Sequence, residues 1–159
     1  MKQTYTIIAY AMNRPGVLYR IADLFLRRKI NIESLTVSEI EHAGQSRFTI
    51  VVFQEAIVVE KLVKQLYRII EVTKVIESLD SGLIIKEIAL IKVSAKNLEK
   101  RKEIEHLVHL ADGKIIAVEK SYLVIEKTGT EVEIDSLHEL LMPFGVKEFV
   151  HSGRIVVFK

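Results

Sequence analysis

The chain has 159 residues, of which 49% are apolar and 28% charged, and its formal net charge is only +2. That apolar share suffices for one medium core or two small ones and argues against disorder, while so slight a basic excess does not make a nucleic-acid surface. Cysteine is missing altogether, which excludes disulfides, thiolate metal sites and thiol nucleophiles.

No apolar run approaches the roughly 20 residues of a membrane span. The N-terminus enters an alternating strand after a single lysine, unlike a signal peptide. The expectation is a soluble cytoplasmic protein with no membrane and no nucleic-acid partner.

Residues 4–12 are β-branched and aromatic enough for a strand. Asn13 is placed to cap the next helix, and Pro15 and Gly16 suit its first turn. Leu18, Ile21, Ala22 and Phe25 follow helical spacing, with Val17 and Leu24 widening the apolar stripe. Arg27, Arg28 and Lys29 complement the negative end of the helix dipole. A second strand is expected over 30–41, a hairpin turn at Ala43-Gly44 and a third strand from Arg47 to Gln54. The next helix carries Val59, Leu62, Val63, Leu66, Tyr67 and Ile70 on one face, and Val72 to Leu79 closes a βαββαβ unit.

Asp80-Ser81-Gly82 is the strongest boundary signal. It divides the chain into a domain at 1–79, a linker at 80–83 and a second domain at 84–159. In the latter, Leu83 to Ser94 reads as a strand and Asn97 caps a helix carrying Ile104, Leu107, Val108 and Ala111, stopped by Gly113. Lys114 to Glu119 and Tyr122 to Lys127 read as strands. Thr130 and Glu133 form a T-x-x-E capping box for a helix with Ile134, Leu137 and Leu141. Val146 to Val150 and Arg154 to Phe158 supply closing strands. The fold class is therefore α+β, as two ferredoxin-like βαββαβ sandwiches.

The stretch Asn13-Arg14-Pro15-Gly16-Val17-Leu18 is the candidate binding corner. A helix N-terminus offers unpaired N–H groups and a positive dipole end, suited to a carboxylate or phosphate. Gly16 leaves the backbone open to approach. Asn13 and Asn31 bring amide donors and acceptors that match a zwitterion. The same residues also fit a purely structural role, with Asn13 capping and Pro-Gly turning. In a sandwich of strand order 4-1-3-2 the second strand is an edge, and no Lys or Pro guards it between Asn31 and Ile40. Antiparallel pairing of that edge with a second copy would form a homodimer and bring the partner's Asn31 to this corner.

The strand, the Arg14-Pro15-Gly16-Val17-Leu18 turn and the helix resemble an ACT domain, an amino-acid-sensing module. The run Asn31-Ile32-Glu33-Ser34-Leu35-Thr36-Val37 resembles the small, regulatory subunit of acetolactate synthase (acetohydroxyacid synthase). The likeness continues through Ser46 to Val51, Gln65 to Val72, Lys86 to Val93, Gly113 to Val118, Thr128 to Thr130, Phe144 to Phe149 and Ser152 to Arg154. This resemblance implies a non-catalytic chain with no cofactor of its own. Its partner would be a catalytic large subunit carrying thiamine diphosphate, FAD and Mg, which it would activate. It would also confer feedback inhibition by valine or another branched-chain amino acid. The family's effector positions fall on Asn13, Gly16 and Asn31, and Arg14, Pro15, Val17, Leu18 and Ile32 flank them. One departure is Lys29-Ile30, where the family often shows Gly-Tyr.

Other features point elsewhere less well. His106 and His109 lie three apart on a helix and could share a metal, but among Lys and Glu they read as a solvated face. His42, His138 and His151 are isolated. The mixed-sign run from Leu98 to Glu103 reads as a solvated first turn. An RNA-recognition sheet needs stacking aromatics two apart, whereas Phe48 and Phe53 are five apart and face opposite ways. A free-standing amino-acid sensor acting on another enzyme is the remaining alternative.

Overall fold

The computed structural model describes residues 1–159. The chain forms two compact units, Met1–Ile85 with Arg154–Lys159, and Lys86–Gly153.

In the first unit, β1 (Gln3–Met12), α1 (Val17–Arg27), β2 (Ser34–Glu39), β3 (Gln45–Gln54), α2 (Ala56–Leu66) and β4 (Val72–Leu79) follow in order. The strands form an antiparallel sheet ordered β2-β3-β1-β4. Alternation along β1 and β3 puts Ile7, Ala9, Ala11, Phe48, Ile50 and Val52 on one face. Two helices cover it through Val17, Ile21, Phe25 and Val59, Leu62, Leu66. Burying each large aliphatic or aromatic side chain contributes about 1.5–3 kcal/mol, so this layer is what holds the unit together.

The second unit repeats the order with β5 (Leu83–Ser94, within this unit from Lys86), α3 (Leu98–Leu110), β6 (Lys114–Val118), β7 (Tyr122–Gly129), α4 (Glu131–Leu141) and β8 (Val146–His151). Its strand order is β6-β7-β5-β8, the same permutation. Ile91, Val93, Leu123 and Ile125 pack against Ile104, Val108, Leu137 and Leu141. Asn97 caps α3 by accepting from the Lys100 N–H at 2.9 Å. Thr130 and Glu133 form the reciprocal capping box on α4.

Several local expectations are corrected. The last strand, β9 (Ile155–Phe158), belongs to the first unit, where Val156 packs on Ile8 and Leu83. Asp80–Gly82 is a 3-10 turn within that unit rather than a free linker. The second strand begins at Ser34, not residue 30. Helix α2 stops at Leu66, so Tyr67 and Ile70, expected on its apolar face, are exposed at 50% and 90%.

The end of α1 has its own chemistry. The Lys29 N–H donates to the Leu26 carbonyl at 2.9 Å, and the Ile30 N–H donates to that of Phe25 at 3.0 Å. These two bonds make a Schellman cap, whose left-handed position is usually glycine. Here Lys29 occupies it at φ +54. The departure at Lys29-Ile30 therefore falls on a helix stop, and Ile30 is folded into the core. Asp112 plays the same part after α3 at φ +52, with Gly113 bonded to the Val108 carbonyl at 2.8 Å.

Candidate functional site

The corner after β1 is built by the backbone. The Asn13 N–H donates to the Gly44 carbonyl at 2.8 Å, and the Arg14 N–H to that of Met12 at 2.9 Å. Pro15 and Gly16 follow as an exposed turn. Gly16 occupies the N-cap position of α1 at φ +88, and no side chain caps the helix. The expected Asn13 cap is thus replaced by a left-handed glycine. An added Cβ there would meet no atom within 4 Å, so the glycine is demanded by its φ and the space beside it is open.

The first turn of α1 therefore keeps its donors. Arg20 N–H closes the first helical bond on the Gly16 carbonyl at 3.0 Å, while Val17 N–H makes a long contact of 3.4 Å to that of Arg14. The N–H groups of Gly16, Leu18 and Tyr19 have no backbone acceptor in the chain. No acidic residue lies in this turn to balance the dipole. The side chains of Asn13 and Arg14 are exposed and make no hydrogen bond within the chain. An anion of modest size, such as a carboxylate, matches such a surface.

Asn31 and Ile32 lie in the segment leading into β2. Asn31 is exposed and its Nδ2 donates to Glu33 Oε1 at 3.0 Å, while Ile32 is half-buried against the first core. Register separates them from the corner. Ser34 pairs with Val51, which pairs with Thr6, whereas Glu39 pairs with Ser46 and Gln45 with Met12. Asn31 thus stands at the end of the sheet opposite Asn13 and Gly16. A single chain does not bring the predicted residues together.

One feature escaped the sequence reading. Leu18 and Ala22 were expected in the buried stripe of α1, but the buried row is Val17, Ile21 and Phe25, and Leu18 is 47% exposed. Arg20, Asp23, Leu24 and Arg27 face a groove against α2, and α2 packs over β1 and β4. At 100° per residue, Leu18, Ala22 and Leu26 fall on the other flank, toward β2. Leu35 and Val37 of β2 lie on the same side of the sheet, aligned with Ile50 and Phe48, and are also exposed. Helix flank and edge strand together make an uncovered apolar strip. Apolar side chains on two opposite flanks of one helix were the available signal.

The remaining residues sort themselves by contact. No group of three or more His, Asp or Glu side chains could hold a metal ion, and His106 and His109 are solvent-exposed. His138 and His151 are not isolated: each stacks with Phe149, at centroid distances of 4.2 and 5.8 Å, and His151 Nδ1 lies 2.9 Å from the buried Glu87 carboxylate. Phe48 is buried in the core and Phe53 is 51% exposed, so the two do not share a stacking surface. No helix is long and apolar enough to cross a membrane.

With this geometry in hand, comparison with known proteins is specific. Residues 7–74 match a family described as the AHAS small subunit-like ACT domain, and residues 86–159 match one described as the small subunit of acetolactate synthase. The chain is 40% identical to a probable acetolactate synthase small subunit of Archaeoglobus fulgidus, over 98% of this chain and 96% of that one. It is 42% identical to the acetolactate synthase small subunit of Mycobacterium leprae, covering 96% of this chain and 89% of the relative. The crystal structure of the small subunit from Thermotoga maritima superposes with a TM-score of 0.91 at 34% identity, covering 99% of this chain and 98% of that one. The chain belongs to the acetolactate synthase small-subunit family.

Proposed function

We infer that this chain is the regulatory subunit of acetolactate synthase in branched-chain amino acid biosynthesis. It has no catalytic site of its own, and it activates a separate large subunit that carries thiamine diphosphate, FAD and Mg. It works as a dimer and confers feedback inhibition by valine, or another branched-chain amino acid, bound between two ACT domains.

The carrying observation is the asymmetry of the first sheet's edges. The outward side of β2 has no partner in the chain and is flanked by the Leu18–Ala22–Leu26 and Leu35–Val37 strip. Such an edge with an apolar margin invites a second copy. In an isologous antiparallel pairing the partner's β2 start meets this chain's β2 end, so Asn31 of one copy approaches Asn13 and Gly16 of the other.

The effector carboxylate then accepts from the free N–H groups after Gly16. Its ammonium meets the amide oxygens of Asn13 and the second copy's Asn31. The isopropyl group rests on Leu18 and its surroundings, with Arg14, Pro15, Val17 and Ile32 shaping the margin. Binding across two chains favours one dimer geometry, and a coupling of about 1–3 kcal/mol changes activity or affinity roughly 5–150-fold.

The test mixes this chain with its large subunit and follows acetolactate formation with and without valine. Activation that valine reverses is expected, and Gly16→Asp, which puts an anion where the carboxylate sits, is expected to abolish the valine response. A large subunit indifferent to this chain would sink the reading. Retained valine sensitivity in Gly16→Asp would sink the site.

A further inference from the structure

Four arginines line one groove on the first unit. An open groove of about 680 Å³ between α1 and α2 is lined by Arg20, Arg27, Arg28 and Arg68, with Asp23 its only acidic wall. The whole chain carries only +2. Arg27 is taken by Asp23 at 2.8 Å and Arg20 by Glu71. Arg28 has only a neutral partner, donating to the Gln65 amide oxygen at 2.6 Å. The Arg68 side chain has no hydrogen bond or ion pair in the chain. Two guanidinium groups are thus left without a carboxylate in the same groove.

Cations at helix C-termini offset the carbonyl dipole, which accounts for Arg27 and Arg28 closing α1. It does not account for four arginines around one groove whose floor, Leu24 and Ile69, is apolar. Where Arg27, Arg28 and Gln65 line the groove the helix ends are C-terminal and present carbonyls rather than free N–H groups, which disfavours a compact phosphate there, and Arg20 in the first turn of α1 is already taken by Glu71. From Arg20 to Arg28 the helix rises about 12 Å, a spacing that suits several carboxylates along a peptide. Guanidinium forks bind carboxylates in a bidentate way, and the apolar floor accommodates the side chains between them.

We propose that the α1–α2 groove docks an acidic segment of the catalytic large subunit. The proposal rests on the function inferred above and names the surface through which activation is delivered. The groove lies on the flank of α1 opposite the Leu18–Ala22–Leu26 strip, so it remains open in a dimer formed through β2.

The experiment titrates this chain into its large subunit and reads the concentration that gives half-maximal activation. The double reversal Arg28→Glu/Arg68→Glu is expected to raise that concentration about tenfold or more, and rising salt is expected to raise it for the wild type. Dimer mass and valine binding to the free protein are expected to stay unchanged. Arg28→Gln/Arg68→Gln, which preserves size and removes only charge, is expected to fall between, and it decides the matter if the reversal misfolds. Unchanged half-saturation in these variants, with the wild type active, overturns the groove and leaves the inferred function standing. Tight binding of inorganic triphosphate to the free wild type, abolished by the reversal, overturns it in favour of a phosphate site. A wild type that activates nothing brings both down.

Discussion

The Tyr67 hydroxyl lies 3.0 Å from the Val75 nitrogen and 3.1 Å from the Val75 carbonyl oxygen, accepting from one and donating to the other. Val75 sits on β4, an edge of the first sheet, and these are outward-facing groups of that edge. Tyr67 therefore occupies hydrogen-bonding sites that another strand would need. Nothing comparable covers β2. The two edges of one sheet are treated differently, and this singles out β2 for pairing.

Tyr67→Phe removes both bonds while keeping the ring. Tyr67 is half-exposed while Val75 is buried, so the expected cost is that of ordinary part-buried hydrogen bonds, about 1 kcal/mol by urea denaturation. Sedimentation should still give a dimer, because β2 is untouched. A change in oligomeric state would show that β4 takes part in assembly.

Val37→Lys places a charge on the exposed apolar margin of β2 without entering the core. The dimer is expected to dissociate at micromolar concentration, measured by sedimentation equilibrium. Valine binding measured by calorimetry should weaken in parallel, since each proposed site takes Asn31 from the other copy. Monomers that bind valine with wild-type affinity would separate the site from the interface.

Lys29→Gly tests the cap of α1. A left-handed conformation costs a side-chain-bearing residue roughly 1–2 kcal/mol, and glycine relieves that at some entropic cost in the unfolded chain. The net expectation is a stabilisation of about 1 kcal/mol in thermal or urea melts. Dimerisation should not change, because the position is a helix stop and not part of the β2 edge.

Glu133 gives a pH dependence with a definite sign. Its carboxylate accepts from the Thr130 backbone N–H at 2.6 Å and from the Thr130 hydroxyl at 3.0 Å, and Lys86 lies nearby. The backbone hydrogen bond, then the hydroxyl bond and the lysine charge, hold its pKa below the ordinary carboxylate value. A depressed folded-state pKa contributes stability that is present above the unfolded value and lost as pH falls through the folded one. Glu133→Gln should therefore flatten part of the acid limb of the stability profile and leave the neutral region nearly parallel. An acid limb identical to wild type would mean that the capping box does not couple to folding.

Much of the fold could be read directly because its signals are local. Val72–Leu79 and Leu83–Ser94 alternate and are bounded by Asp80 to Gly82, and both strands fall at the expected residues. Asn97 and the Thr130–Glu133 pair announce helix starts through side chains that bond within one turn. The run from Asn31 to Val37 carried the family likeness. Less of the corner was readable. Asn13 satisfies the composition of a cap, yet the chain turns through Gly16 in a left-handed conformation that no periodicity predicts.

By itself, then, the sequence determined the elements, their βαββαβ order repeated twice and the family. These depend on side-chain spacing over a few residues. Only the tertiary structure decided which apolar side chains stay in solvent. Ile21 and Leu18 belong to one helix, and they differ because the sheet covers one flank and nothing in the chain covers the other. It likewise returned Val156 to Ile8, put Tyr67 on the β4 edge and gathered four arginines around one groove. Burial, edge protection and charge clustering depend on which distant segment arrives alongside, and that is fixed by long-range pairing rather than by local pattern.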